Sequence, residues 1–101
     1  MTDLFAITSA SIRIDVKNET DAGYGTSSAS GNVTVNFNKS FATVTAITVT
    51  PNPASSGRYY AGTIFDETQG NPTSFDVFIL DANGANVAVE FSWIVRGVRG
   101  A

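Results

Sequence analysis

The residue types that most often carry chemistry in proteins are scarce in this chain. It contains no histidine and no cysteine, which removes imidazole bases, thiolate nucleophiles and the usual zinc ligands. Carboxylates remain, and Asp66 and Glu67, combined with Asp76 or Asp81, could form the pair that hydrolyses a glycosidic bond. Asp66 and Glu67 are neighbours, however, so a strand would direct them to opposite faces. We therefore interpret them as turn and surface residues, and predict no catalytic residue, no metal site and no cofactor.

One further motif, Asp81-Ala-Asn83-Gly84, begins like a calcium-binding EF-hand loop. The later oxygen ligands and the terminal glutamate of that loop are missing at the required spacing. Asn-Gly readily adopts positive φ, which a tight turn between two antiparallel strands needs. We therefore predict a hairpin turn at this motif rather than a metal site.

Aromatic and cationic side chains are better suited to contact than to catalysis in this chain. Tyrosine and arginine are favoured at recognition sites because each combines a large contact area with hydrogen bonding. The candidates for contact with a binding partner are Tyr24 and the consecutive residues Arg58, Tyr59 and Tyr60. The same residue types are ordinary at strand edges, so the residues alone leave both interpretations open.

Length, charge and composition restrict the class of protein. The 101 residues suit one domain, 1–101, and a hydrophobic fraction of 43% is that of a globular chain. The net charge is −3 and the six lysines and arginines are dispersed, so we expect no binding to nucleic acid. No apolar run approaches the ~18 residues of a membrane span, and the start of the chain lacks the pattern of a signal peptide. We therefore predict cytoplasmic synthesis and no membrane insertion. The short apolar patch at 4–7 is open to two interpretations: an N-terminal strand, or, with the rest of residues 1–10, the end of a longer parent chain.

The clearest strand pattern lies at 87–97, which also holds the only tryptophan. Large apolar side chains alternate there with small or polar ones, which is the period of a strand with one buried face. The inward residues are Val87, Val89, Phe91, Trp93 and Val95. We expect the two aromatic residues of this strand to lie deep in the core against Phe37, Ile47 and Val77.

Further strands are predicted from alternation at 11–17, 32–38, 44–50, 58–65 and 74–81. No stretch has helical periodicity, so the sum is all-β: a single antiparallel β-sandwich of six to seven strands. The stretch 18–31, rich in Asn, Ser, Thr and Gly, is predicted to be a long loop. Such a loop is either a mobile connection between strands or a functional segment.

A second apolar face is predicted on the last two strands. Phe78 and Leu80 alternate out of phase with the other apolar residues of their strand, and Ile94 interrupts the polar face of the tryptophan strand. A hairpin turning at Asn83-Gly84 would place these three in one exposed patch, with Arg96 on the same strand face as Ile94. We expect this patch to be the interface of a closed cyclic oligomer.

Three segments together resemble a protein family. Val33-Thr-Val-Asn-Phe37, Phe41 and Ile47-Thr-Val49 resemble the opening strands of H-type-lectin-like domains at the C-terminus of tailed-phage tail fibres and tip attachment proteins. Ser74-Phe-Asp-Val-Phe-Ile79 resembles the Gly-Phe-x-Val strand of that family, with serine in place of glycine. Val89-Glu-Phe-Ser-Trp-Ile-Val-Arg-Gly97 is similar to its closing strand. The resemblance covers about residues 31–97.

The resemblance implies a six-stranded antiparallel sandwich that forms a homotrimer and, in the phage tail, presents its loops to a bacterial surface. The function that we expect is a non-catalytic receptor-binding domain of a phage tail fibre or tail tip, recognising a bacterial surface glycan or receptor. The alternative is a purely structural trimerisation domain of a tail protein, without receptor contact. In either case the location would be the virion tail, after synthesis in the host cytoplasm.

Overall fold

The computed structural model describes residues 18–100, which form six strands and no helix. The strands are β1 Asn18–Thr26, β2 Val33–Asn36, β3 Phe41–Pro51, β4 Tyr60–Ile64, β5 Ser74–Leu80 and β6 Glu90–Arg99. They build two antiparallel sheets of three, in the orders β1-β6-β3 (the first sheet) and β2-β5-β4 (the second sheet). The all-β antiparallel sandwich is thus confirmed. The strand predicted at 11–17 lies outside the described residues.

The two sheets meet through aromatic side chains. Phe75 on β5 and Trp93 on β6 pack edge to face across the interface, with ring centroids 5.7 Å apart. Phe37 stacks on Phe75 at 5.7 Å and meets Phe41 edge to face at 5.2 Å. These pairs form a continuous row of rings from β3 to β6, and such pairs stabilise beyond the area that they bury. The buried apolar core is Phe41, Phe75, Val77, Ile79, Val89, Phe91, Trp93 and Val95.

β6 occupies the centre of the first sheet and pairs with β1 on one side and β3 on the other. Phe91 and Trp93 are 1% and 3% exposed, so the predicted deep burial of both is confirmed. The predicted alternation of buried and exposed side chains is present in the structure, with the odd-numbered residues facing inward from Phe91 to Val95. No helix among residues 18–100 is long and apolar enough to cross a membrane.

The prediction of a long loop at 18–31 is wrong, because residues Asn18–Thr26 form β1 and pair with β6 along its whole length. The inner face of β1 carries no large apolar side chain. Gly23 lies opposite Trp93 and Gly25 opposite Phe91, and a Cβ at either glycine would come within 2.9 Å of the facing ring. The rings of β6 therefore fill the space that β1 leaves empty, and β1 needs no apolar residues of its own.

Polar side chains hold the two ends of β1. Asp21 is 4% exposed, and its carboxylate accepts hydrogen bonds from the backbone N–H groups of Asn38 and Lys39 at 2.6 and 3.2 Å. This bond ties β1 to the turn between β2 and β3. Just after β1, the Ser27 hydroxyl donates to the carbonyl of Val87 and accepts from the N–H of Val89.

The turn at Asp81-Ala-Asn83-Gly84 is present, with Gly84 at φ +82° and its N–H donating to the Asp81 carbonyl. The predicted hairpin is nevertheless wrong, because β5 and β6 belong to different sheets. After the turn the chain runs back along β5 only as far as Val87, whose N–H donates to Ile79. It then crosses to the first sheet, where the Val89 carbonyl accepts from Ser27.

Candidate binding groove

Tyr24 lies on the outer face of the first sheet rather than in a loop. It is 87% exposed, more than any other large hydrophobic side chain among the described residues. Its partner across the ladder is Ser92 on β6, and Ser92 in turn faces Thr50 on β3. Tyr24 therefore stands on the edge strand of the sheet, beside the small polar side chains of Ser92 and Thr50, and is free to contact a ligand.

Two adjoining depressions run from Tyr24 over the end of the first sheet to Tyr59. Their volumes are about 340 and 410 Å³, and they share Thr26, Asn52 and Glu90. We call this surface the Tyr24–Tyr59 groove, defined by Tyr24, Thr26, Asn52, Tyr59 and Glu90. Their sequence separation is as large as 66 positions, so only the fold brings them together.

The strand ladder positions the middle of the groove. Thr26 and Glu90 are cross-strand partners at the end of the β1–β6 pair. Asn52 follows the last residue of β3, and its N–H donates to the Glu90 carbonyl at 2.7 Å. Proline at position 51 and again at 53 cannot donate to a ladder, which ends β3 at this point. The backbones of β1, β6 and the residue after β3 thus place the Thr26 hydroxyl, the Glu90 carboxylate and the Asn52 amide side by side.

Tyr59 forms the far wall of the groove. Its side chain is partly buried and packs against the core, so its position is fixed from inside the sandwich. Gly57 lies beside the ring at φ +155°, and a Cβ there would come 3.2 Å from the ring carbon Cε2. Glycine at position 57 therefore allows the loop before β4 to pass closely over Tyr59.

The groove is rich in hydrogen-bonding groups. It offers hydroxyls, an amide, a carboxylate and two tyrosines, which suit a hydroxylated ligand that also has apolar faces. Within residues 18–100 no group of three or more acidic side chains is placed to hold a metal ion. The Asp66 carboxylate accepts from the hydroxyl and N–H of Thr68 at 2.6 and 2.9 Å, and these bonds lower its pKa. Asp66 is therefore engaged within its own turn.

The other receptor-binding candidates lie apart from the groove. Arg58 is exposed and does not line it. Tyr60 points to the outer face of the second sheet, where it lies opposite Leu80. The run of Arg58, Tyr59 and Tyr60 is therefore divided, because neighbouring residues of an extended chain face opposite sides.

The outer face of the second sheet is the more apolar of the two. Tyr60, Ile64, Phe78 and Leu80 lie there, and we call them the β4–β5 face. The Phe78 ring lies directly on Gly62, its partner across the ladder, which leaves no room for a Cβ at that position. Aromatic cover of a strand glycine compensates for its missing side chain.

Ile94 and Arg96 lie instead on the outer face of the first sheet, opposite Thr48 and Ala46 of β3. The prediction of one patch containing Phe78, Leu80 and Ile94 is therefore wrong. It assumed that β5 and β6 pair as a hairpin, whereas the chain changes sheets between them. Each sheet instead has its own outer face.

Another cleft, of about 530 Å³, lies between β3 and the segment from β4 to the following loop. It is lined by Val44, Ile47 and Phe65 together with Thr45, Thr63 and Glu67. It offers fewer polar groups close together than the Tyr24–Tyr59 groove, and we therefore regard the groove as the better candidate site.

No family model, curated protein or solved structure matches this chain. The functional argument therefore depends on the residues and geometry described above. Tyr24 and Tyr59 were among the candidates from sequence, but Thr26, Asn52 and Glu90 were not. The only sequence signal near them is the Pro51-Asn-Pro53 stop, which locates the end of a strand but not its neighbours.

Proposed function

We propose that this chain is a non-catalytic receptor-binding domain of a phage tail fibre or tail tip, which recognises a bacterial surface glycan or receptor as a homotrimer. The observation that carries the proposal is the Tyr24–Tyr59 groove, which combines an exposed aromatic ring with clustered hydrogen-bonding groups. Exposed tyrosines often contribute most of the energy of a recognition surface. The resemblance of residues 31–97 to H-type-lectin-like tail domains supports the same reading.

The homotrimer is part of this proposal, and the β4–β5 face supports it. Tyr60 and Ile64 are 56% and 52% exposed there. A contiguous group of large apolar side chains facing water forgoes roughly 1.5–3 kcal/mol per residue that burial would provide. Asp76 is the only charged side chain of β4 or β5, and it accepts a hydrogen bond from Thr34 at 2.9 Å, so most of the face is uncharged and suits contact between copies.

Binding of the fluorescently labelled full chain to a panel of bacterial strains tests recognition. On a strain that binds, Tyr24→Ala should weaken binding by about tenfold, since a hot-spot tyrosine contributes ~1–2 kcal/mol. Ile94→Ala is the control, because Ile94 is an exposed apolar residue on the outer face of the same sheet, outside both the groove and the β4–β5 face. Equal affinity of Tyr24→Ala and wild type would contradict a role for the groove. If no strain is bound while the chain still forms trimers, the structural alternative is favoured.

Light scattering tests the assembly. The wild type should be trimeric at micromolar concentration, and Phe78→Glu should give monomers because it places a charge in the proposed interface. Ile94→Glu, on the outer face of the first sheet, serves as the comparison. A monomeric wild type would contradict the proposed trimer. Dissociation by Ile94→Glu and not by Phe78→Glu would show that the interface is the outer face of the first sheet instead.

A further inference from the structure

Glu90 is the only charged side chain that lines the Tyr24–Tyr59 groove. It is exposed, and its partner across the ladder is the uncharged Thr26. Among residues 18–100, it takes part in no salt bridge; the ion pair found there joins Lys39 to Glu19. The groove therefore presents an uncompensated negative charge to whatever enters it.

The nearest cation on the same strand face is too far away to neutralise this charge. Arg96 follows Glu90 by six positions on β6, which is about 20 Å at ~3.3 Å per residue. That separation exceeds twice the screening length of ~8 Å in physiological salt. Arg58 immediately precedes Tyr59 but does not line the groove, so its influence is tested separately.

We propose that Glu90 determines the charge preference of the groove, which selects neutral or amino-bearing saccharides and rejects those with carboxylate, phosphate or sulfate groups. This inference rests on the proposed function, because it concerns the ligand of the same site. Its physical basis is repulsion between like charges a few ångströms apart. At an exposed site that repulsion changes affinity by about fivefold in ~0.05 M salt, and by little in ~1 M salt.

The experiment uses an array of purified bacterial surface polysaccharides with neutral repeats. Each polymer is printed both unmodified and after oxidation of its primary hydroxyls to carboxylates, so that charge is the intended difference. Wild type, Glu90→Gln and Arg58→Gln are compared in ~0.05 M and ~1 M NaCl. Glu90→Gln keeps the size and shape of the side chain, and an unchanged melting temperature will show that it folds normally.

Wild type should bind the neutral form of a polymer about fivefold more tightly than its oxidised form in ~0.05 M salt. Glu90→Gln should remove most of that difference by improving binding of the oxidised form, and high salt should do the same for wild type. Arg58→Gln should leave the ratio unchanged. The proposal is overturned if wild type prefers the oxidised forms, or if the ratio survives in Glu90→Gln. In those cases binding itself still supports the proposed function, whereas failure to bind any polymer or cell rejects both.

Discussion

β1 and β6 are neighbours in the same sheet and are built in opposite ways. β6 carries two large rings of the core, while the inner face of β1 carries two glycines and two carboxylate side chains, Glu19 and Asp21. In the ladder Gly23 lies opposite Trp93 and Gly25 lies opposite Phe91. The rings of β6 therefore occupy the space that the two glycines of β1, which have no side chains, leave open. A strand can therefore be specified by its partner, even when its own side chains bury no apolar surface.

The largest effect is expected on the β6 side. Phe91→Ala should lower the free energy of unfolding by about 3–5 kcal/mol, because the ring is fully buried and leaves a cavity. Chemical denaturation followed by Trp93 fluorescence measures the change. Ser92→Ala, on the outer face of the same strand, should cost ~0.5 kcal/mol or less. Similar values for the two variants would mean that β6 does not organise the core.

Loss of the buried carboxylate should have the next largest effect. Asp21→Ala leaves the N–H groups of Asn38 and Lys39 without their acceptor, and we expect a loss of about 2–4 kcal/mol. Thermal unfolding and hydrogen exchange at those two amides report it. Thr20→Ala, on the exposed face of β1, is the control. If Asp21→Ala is as stable as Thr20→Ala, β1 is held by its backbone ladder alone.

The close fit of Gly25 against the Phe91 ring predicts that substitutions at these two positions have non-additive effects on the free energy of unfolding. A Cβ at Gly25 would lie 2.6 Å from Cζ of Phe91, so Gly25→Ala should cost about 1–3 kcal/mol. In a Phe91→Leu background the cost should fall by at least ~1 kcal/mol, because the clashing ring is gone. Gly70→Ala, where a Cβ would meet nothing within 4 Å, is the control and should be nearly neutral. If the effects of Gly25→Ala and Phe91→Leu are additive, the two residues do not depend on each other for their packing.

The smallest effect on stability is expected at the most exposed residue of β1. Tyr24→Ala removes a side chain that is 87% exposed, and should change the free energy of unfolding by about 0.5 kcal/mol or less. A melting curve measured alongside the binding assay separates an effect of Tyr24→Ala on stability from its effect on binding. A clear drop in melting temperature would show that Tyr24 stabilises the sheet, and its effect on binding would then need another explanation.

The parts of the fold that the sequence predicted are those where apolar alternation reports burial directly. β2, β3, β5 and β6 all show it, and the sandwich follows from their number and turns. β1 was missed because its inner face is polar or empty, and a pattern of side chains cannot reveal a strand whose buried surface belongs to its neighbour. The sheet change after Gly84 was missed for a related reason, since a turn motif fixes local φ but not the partner of the next strand.

The binding groove was predictable only in part for the same reason. Tyr24 and Tyr59 have side chains of a type favoured in recognition, so composition alone makes them candidates. Glu90 and Thr26 become a pair only through the β1–β6 ladder, and Asn52 joins them through a backbone bond at the end of β3. Pairing between residues distant in sequence cannot be recognised from the residues that flank each of them in the chain.

The central position of β6 also determines when the domain can be completed during synthesis. All strands of the second sheet lie within residues 33–80, so that sheet can pair before β6 leaves the ribosome. β1 and β3 must wait for β6, which at ~5–20 residues per second takes roughly one to four seconds more. During that interval β3 presents eleven residues without a single charge, and the inner face of the second sheet is uncovered. The domain is therefore most exposed to aggregation just before β6 becomes available, and a stop codon after Leu80 would make that hazard permanent.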